Sequence, residues 1–280
     1  MQSTEDLKKI ASQVRRDIIR MVVKAKSGHP GGSMSSADFM TALYFNVMDQ
    51  NPETWTRGGK DQDMFILSAG HLTPMYYSIL SRAGYFPTSE LGSFRKFGSR
   101  LQGHPSVRKG LPGVAQAAGS LGQGLSVAIG AALAKKADND PHCVYVLCGD
   151  GETEEGQIWE AYMAAAHYKL DNLTIIIDNN GLQIDGTNDQ VMSLGDLPAK
   201  LRAFGFDLVE LPDGNDLDAV EAALSKPTMP GKPKAILAHT VKGKGVSFME
   251  NQVGWHGKAP NDEQYEQGMA ELAANDAKEA

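Results

Sequence analysis

The stretch from Cys148 to Gly181, CGDGETEEGQIWEAYMAAAHYKLDNLTIIIDNNG, constrains the fold of this chain more than any other. The apolar run Val144 to Leu147 ends in a glycine-flanked acid, Asp150, and the β-branched run Leu173 to Ile177 ends in Asp178, Asn179 and Asn180. Between them Glu155 to Tyr168 reads as a helix. A strand, a helix and a strand in succession form a crossover unit, so the two strands run parallel and their C-terminal ends share one sheet edge. Open α/β sheets bind ligands at that edge. Asp150 and Asn180 bring a carboxylate and an amide oxygen there, and with a nearby backbone carbonyl they form a hard-oxygen set suited to Mg²⁺. Gly149 and Gly151 let the backbone approach a phosphate closely. Taken singly, GDG and NNG are also ordinary turns of α/β proteins. The pair is more specific, with 27 residues (152 to 178) between GDG and NN.

Strands alternate with helices along the rest of the chain, which predicts a doubly wound parallel sheet with helices on both faces. Residues 3 to 26 place Leu7, Ile10, Val14, Ile18, Met21, Val22 and Ala25 at helical spacing, with Ser3 and Asp6 as a capping box. SGHPGG ends that helix, and a second is expected from Ser35 to Val47. A strand from Phe65 to Leu67 runs into SAGH, and a helix follows over 74–83. Residues 84 to 118 are irregular and rich in Gly, Pro and Ser, long enough to suggest a functional segment or one covered by a partner. GSLGQG (Gly119 to Gly124) opens a small-residue helix. Later elements are helices at 196–204 and 216–225 and strands over 206–211 and 235–239. The expected division is one domain over 1–260 and a polar helical tail over 261–280.

With 280 residues, 41% of them hydrophobic, the chain can bury one large core. A formal net charge of −7 and dispersed Lys and Arg argue against a nucleic-acid footprint. No apolar run reaches the length of a membrane span, and the acidic start MQSTEDLKKI lacks a signal core. The expected location is cytoplasmic, the expected partners small molecules and protein. Cys143 and Cys148 sit at opposite ends of one predicted strand, too far apart for a bridge, and read as reduced residues.

Four of the seven histidines, His29, His71, His104 and His256, stand beside glycine. A lone loop histidine is more often a solvated polar residue than a catalyst, but four in such settings point to a site. His142, His167 and His239 lack that setting and read as structural. The segments SGHPGGSMSSADFMTALY, FILSAGHLTPMYYSILSRAGY, LQGHPS, GSLGQGLSVAIGAALA, GDGETEEGQIWEA, DNNGLQIDG and VKGKG...GWHGKAP together resemble, in order, the N-terminal, diphosphate-binding part of transketolases. The likeness runs from about residue 10 to 260.

The resemblance implies thiamine diphosphate (ThDP) and a divalent metal, Mg²⁺ with Ca²⁺ or Mn²⁺ able to substitute. It matches Asp150, Asn180 and the backbone oxygen of Leu182 to the metal ligands. Gly149, Gly151, His71 and His256 match positions at the cofactor diphosphate, and Gly119 and Leu121 match contacts around the cofactor's rings. His29, His104 and His256 match the histidines that bind the donor sugar and assist proton transfer. Glu155 matches an acidic position near a subunit interface. Two departures bear on substrate rather than cofactor: LTP follows SAGH, and Met64 stands where many transketolases carry Arg. Complete transketolases also carry a pyrimidine-binding domain, which nothing in this sequence matches. The resemblance therefore implies the N-terminal subunit of a split transketolase, paired with a separate C-terminal chain in an α2β2 heterotetramer. Such an enzyme transfers a two-carbon ketol unit between sugar phosphates, the chemistry of the pentose phosphate pathway. Three alternatives stay open at this point. One is a split enzyme specialised for an unusual pentulose phosphate, and another is a subunit that binds ThDP without a catalytic role of its own. The third, a dinucleotide-binding protein, is weakened because GSLGQG lacks GxGxxG spacing.

Overall fold

The computed structural model describes residues 1–279, and side chains through 276. In chain order the elements are α1 (Thr4–Ala25), α2 (Pro30–Ser35), α3 (Ala37–Ala42), β1 (Met64–Leu67), α4 (Thr73–Arg82), α5 (Gln123–Ala137), β2 (Val144–Gly149), α6 (Gly156–His167) and β3 (Leu173–Asn179). After them come α7 (Asn188–Val191), α8 (Leu197–Ala203), β4 (Asp207–Leu211), α9 (Leu217–Ser225), β5 (Lys234–His239) and α10 (Asp262–Glu279). The five strands form one parallel sheet in the order β1-β2-β3-β5-β4.

Both faces of the sheet are covered, which is why its central strands read as continuous apolar runs rather than alternating ones. On one face Phe65, Leu67, Tyr145, Leu147, Ile176 and Ile236 pack with α1, α3, α4 and α9. On the other, Ile66, Val144, Val146, Ile175, Ile177 and Leu237 pack with α5, α6 and α8. Each fully buried branched aliphatic of this kind contributes about 1.5–3 kcal/mol of transfer free energy. The terminal helix α10 joins the first layer: Leu272 is buried, and Asp276 accepts from Ser12 Oγ and pairs with Arg16 of α1.

Two local expectations change. Ser3 Oγ accepts from the Asp6 backbone N–H, but it donates its own proton to the Asp6 carboxylate (2.7 Å). The reciprocal half of a capping box is therefore not made. The expected 35–47 helix starts earlier and breaks into pieces: α2 begins at Pro30, α3 follows after Ser36, and Leu43–Val47 is a π-helical turn. α1 ends ahead of the SGHPGG glycines, at Ala25, where the non-glycine Lys26 takes the left-handed capping conformation (φ +52°), and Pro30 at the first helical position starts α2, whose early N–H groups need no helical partner. Gly31 serves close packing there, because a Cβ would sit 2.8 Å from Trp255 O and 3.1 Å from Lys242 Cγ. Residues 84–118 stay irregular apart from two 3₁₀ turns, yet Phe86, Leu91, Phe94, Leu101, Leu111 and Val114 are buried. Tyr76 and Tyr77 hydroxyls donate to Gly113 O (2.6 Å) and Gln102 O (2.9 Å), so the segment is pinned to α4.

Asn215, just before α9, links this scaffold to the ligand edge. Its Nδ2 donates to Ser35 O (3.0 Å) and Asp38 Oδ2 (2.8 Å), and its Oδ1 accepts from Val241 N (2.9 Å). Asp38 is in turn held by Arg15 of α1 (3.0 Å). Asn215→Ala is expected to cost about 2 kcal/mol, because hydrogen bonds to a buried carboxylate and a buried carbonyl vanish together. A thermal unfolding midpoint within a degree of the parent protein's would show that this link is dispensable.

Candidate active site

The site is built on the C-terminal ends of β2, β3 and β5, where the register sets Gly149 beside Asp178 and Asp178 beside Ala238. Asp150 leaves β2 buried, and its carboxylate accepts from Gly151 N (2.8 Å) and from Gly181 N. It thereby staples the GDG turn to the NNG turn. Burial and the neighbouring Asp178 push its pKa up to about 6, against opposing pulls from the two amides and Lys242. Asp178 is also buried, and takes hydrogen bonds from Ser35 Oγ (2.7 Å), Thr240 Oγ1 and Asn180 Nδ2 (3.2 Å). Asn180 Oδ1 accepts from Leu182 N (3.2 Å).

Four loops bring the glycine-flanked histidines together over these turns. The His29 ring lies 5.2 Å from His71, 6.2 Å from His104 and 5.7 Å from His256, and His71 stacks on His256 at 5.1 Å. Burial, then Arg95, His104 and Lys242, depress the His29 pKa to about 4. Burial, then Lys242 and His29, depress His256 to about 3. His71 is pushed well down by burial, and His104 is lowered by burial and Arg95. All four imidazoles are therefore neutral at pH 7, able to accept a proton on one ring nitrogen and donate from the other. The unfolded chain binds these protons first, near pH 6.5, so unfolding takes up protons. Stability from His29 and His256 is complete above pH 6.5 and drains away as pH falls toward about 4 and about 3. Urea midpoints should accordingly drop between pH 7 and pH 5, and His29→Phe should flatten that drop. An unchanged slope in the variant would show that His29 is not buried in neutral form.

The other three histidines lie elsewhere. His142 pairs with Asp140, His239 contacts Asn179 Nδ2 (3.0 Å), and His167 packs against Tyr168.

A cavity of about 310 Å³ is lined by His29, His71, His104, Gly119, Leu121, Gly149, Asp150, Gly151, Asn180, Leu182 and His256. These are all the residues the sequence singled out for the site. A groove of about 620 Å³ beside α1, lined by Asp17, Arg82 and Tyr265 among others, is larger but holds no such convergence of groups. Size alone does not mark a site; convergent polar groups do. The cavity also holds Glu152, Asp178, Gln183, Ile184 and Lys242, which sequence reading did not select. Glu152 is buried and accepts from Ser68 Oγ, Gly122 N (2.7 Å) and Gly149 N (3.0 Å), tying three loops together. Lys242 is buried, and its ammonium donates to Leu182 O (2.7 Å) and lies 3.0 Å from His256 Nδ1.

These residues fit a divalent cation carrying a diphosphate. Asp150, Asn180 Oδ1 and Leu182 O are hard oxygens, and one lone pair of Leu182 O accepts from the Lys242 ammonium. Among the described residues no group of three His, Cys, Asp or Glu could hold a metal, so a cation at this edge would have to draw on amide and carbonyl oxygens as well. His29 Nδ1 is buried without a hydrogen-bond partner, an orphan that a ligand in the cavity can satisfy.

Residues 7–279 match the family described as the thiamine diphosphate binding domain of transketolase. This chain belongs to the transketolase family. It is 40% identical over 271 residues to an apulose-4-phosphate transketolase subunit of Phocaeicola vulgatus, covering 96% of this chain and 94% of that one. It is 38% identical to a 6-deoxy-6-sulfo-D-fructose transketolase subunit of a Clostridium species, covering 95% of this chain and 96% of the relative. The fold superposes on transketolase from Leishmania mexicana with a TM-score of 0.89 at 33% identity, covering 98% of this chain but 42% of that one. The chain thus spans nearly the whole of relatives named as subunits and less than half of the single-chain transketolase. As a member of the ThDP-binding family it shares the parallel sheet with helices on both faces.

Proposed function

We propose that this chain is the N-terminal, diphosphate-binding subunit of a two-chain transketolase that moves a two-carbon ketol unit from a ketose donor to an aldose acceptor. The observation that carries the reading is the gathering of four neutral histidines over the Asp150, Asn180 and Leu182 oxygens in one cavity. Asp150, Asn180 and Leu182 O would hold the metal, Mg²⁺ by its oxygen preference, with Ca²⁺ or Mn²⁺ as substitutes. Lys242, His71 and His256 would face the diphosphate, and Gly149 and Gly151 leave room for it. Gly119 and Leu121 would border the rings. ThDP, when bound, supplies the carbanion-stabilising chemistry. His29, His104 and His256 would hold the donor hydroxyls and take up or return the hydroxyl proton, which their neutral state allows.

The donor class is an anionic ketose: one relative is named for apulose-4-phosphate, another for 6-deoxy-6-sulfo-D-fructose. The partner is a C-terminal chain carrying the pyrimidine-binding wall, in an α2β2 assembly, and the naming of these relatives as subunits supports a second chain. The reading puts the enzyme in the cytoplasm, which the two free cysteines favour. No described helix is long and apolar enough to cross a membrane. Mixing the chain with its separately expressed C-terminal partner, ThDP and Mg²⁺ should give ketol transfer that neither chain gives alone. Equal turnover by this chain alone would overturn the two-chain reading.

A further inference from the structure

Arg95 has no place in the chemistry described so far, and its setting is costly. It is a non-glycine residue at φ +57°, in the left-handed region. Its Nε is buried without a hydrogen-bond partner. Among the described residues no carboxylate pairs with it, whereas Arg15, Arg16, Arg20, Arg82, Arg100 and Arg202 all have acids. An uncompensated, half-buried guanidinium in a strained backbone persists where the surroundings over-determine it, and such strain gathers at functional sites.

What surrounds it are the two loops that carry His29 and His104. Arg95 Nη1 donates to Ser27 Oγ (2.7 Å), two residues before His29. The guanidinium lies against Gly103, immediately before His104: a Cβ there would sit 2.7 Å from Cζ and 2.8 Å from Nε and Nη2. Arg95 N closes its own loop on Leu101 O (2.8 Å), while Thr73 Oγ1 and Tyr77 Oη fix the Gly103 and Gln102 carbonyls (2.9 Å each). One side chain therefore spans both loops, and no acid cancels its charge.

We propose that Arg95 is a positioning residue for ketol transfer, holding the His29 and His104 loops in register and keeping a fixed positive charge beside both rings. This rests on the function proposed above. A carboxylate partner would knit the loops equally well but would neutralise the charge. Left unpaired, the charge disfavours imidazolium at both rings. The groups facing His29 are Arg95, His71, His104, Lys242 and His256; Arg95 and His29 face His104. After burial, Arg95 is the largest influence lowering both rings.

The test uses the reconstituted two-chain enzyme with ¹³C-labelled histidine. Arg95→Met should raise the pH at which His29 and His104 titrate by about one unit, read by NMR. The acid limb of kcat/KM should move to higher pH with them, and kcat at neutral pH should fall roughly tenfold. Arg95→Lys should restore the limb but only part of kcat, because a single ammonium cannot reproduce the planar fork. If Arg95→Met perturbs folding, Gly103→Ala serves instead, since its methyl displaces the guanidinium and should produce the same upward shift at His104. Unmoved titrations with only a lower melting temperature would make Arg95 purely structural and sink the proposal. The NMR arm does not depend on turnover, so a wild-type complex without ketol transfer would refute the function and not the charge effect.

Discussion

Asp150→Ala loses metal-dependent ThDP binding: calorimetric titration of the reconstituted enzyme is expected to show cofactor affinity reduced by more than the roughly 10- to 100-fold seen when a metal site loses only an outer-shell partner. The carboxylate has two duties. It is the only acid in the Asp150, Asn180 and Leu182 oxygen set, and it accepts from Gly151 N and Gly181 N, so its removal leaves those amides without their protein acceptor. Asp150→Asn separates the duties, because an amide oxygen can still accept from one glycine N–H but carries no charge for the metal. The Asn variant should still fold, with a melting temperature lowered by the one glycine N–H it leaves unpaired but less than in the Ala variant, and fail to bind ThDP in the presence of Mg²⁺. If it bound as tightly as the parent, the metal assignment would be wrong.

Glu152→Ala should unfold the cradle rather than merely empty it. Its carboxylate is the acceptor for Ser68 Oγ at the end of β1, Gly122 N at the head of α5 and Gly149 N at the end of β2. Orphaning a buried donor costs about 1–3 kcal/mol, so losing three at once removes a large part of the 5–15 kcal/mol typical of a domain. Glu152→Gln retains one acceptor oxygen but turns an NH₂ toward a donor, so an intermediate loss is expected. Differential scanning calorimetry orders the three proteins. A Glu152→Ala protein that melts with the parent would mean the three loops hold themselves.

The residues legible in the sequence are those whose chemistry is announced by their neighbours. Asp150 and Asn180 stand at the ends of short, β-branched apolar runs that read as buried strands, and each of the four histidines carries a glycine beside it. Glu152 was hidden because GETEEG reads as a solvated acidic turn, and nothing local tells that Ser68 and Gly122 arrive to bury it. Lys242 was hidden in VKGKG, a loop with the composition of an exposed one. Only the strand order, which sets β5 beside β3, carries it from the end of β5 to Leu182. The early start of α2 escaped for a different reason. Gly31 and Gly32 are poor helix formers on intrinsic preference, and tertiary packing against Trp255 and Leu72 overrides it.

The ladder that sets Gly149, Asp178 and Ala238 side by side has a consequence for divergence. Spacing between the turns that carry Asp150 and Asn180 is inherited from backbone hydrogen bonds, which every residue type except proline can make. The outer faces of the helices are then free to drift, and two-thirds of the side chains can change while the ligand edge stays in place. That accounts for a TM-score of 0.89 surviving at 33% identity. It also locates the vulnerable changes: a single insertion inside β2 or β3 would shift one turn past the other by about one residue rise of 3.3 Å, more than a metal–oxygen bond tolerates.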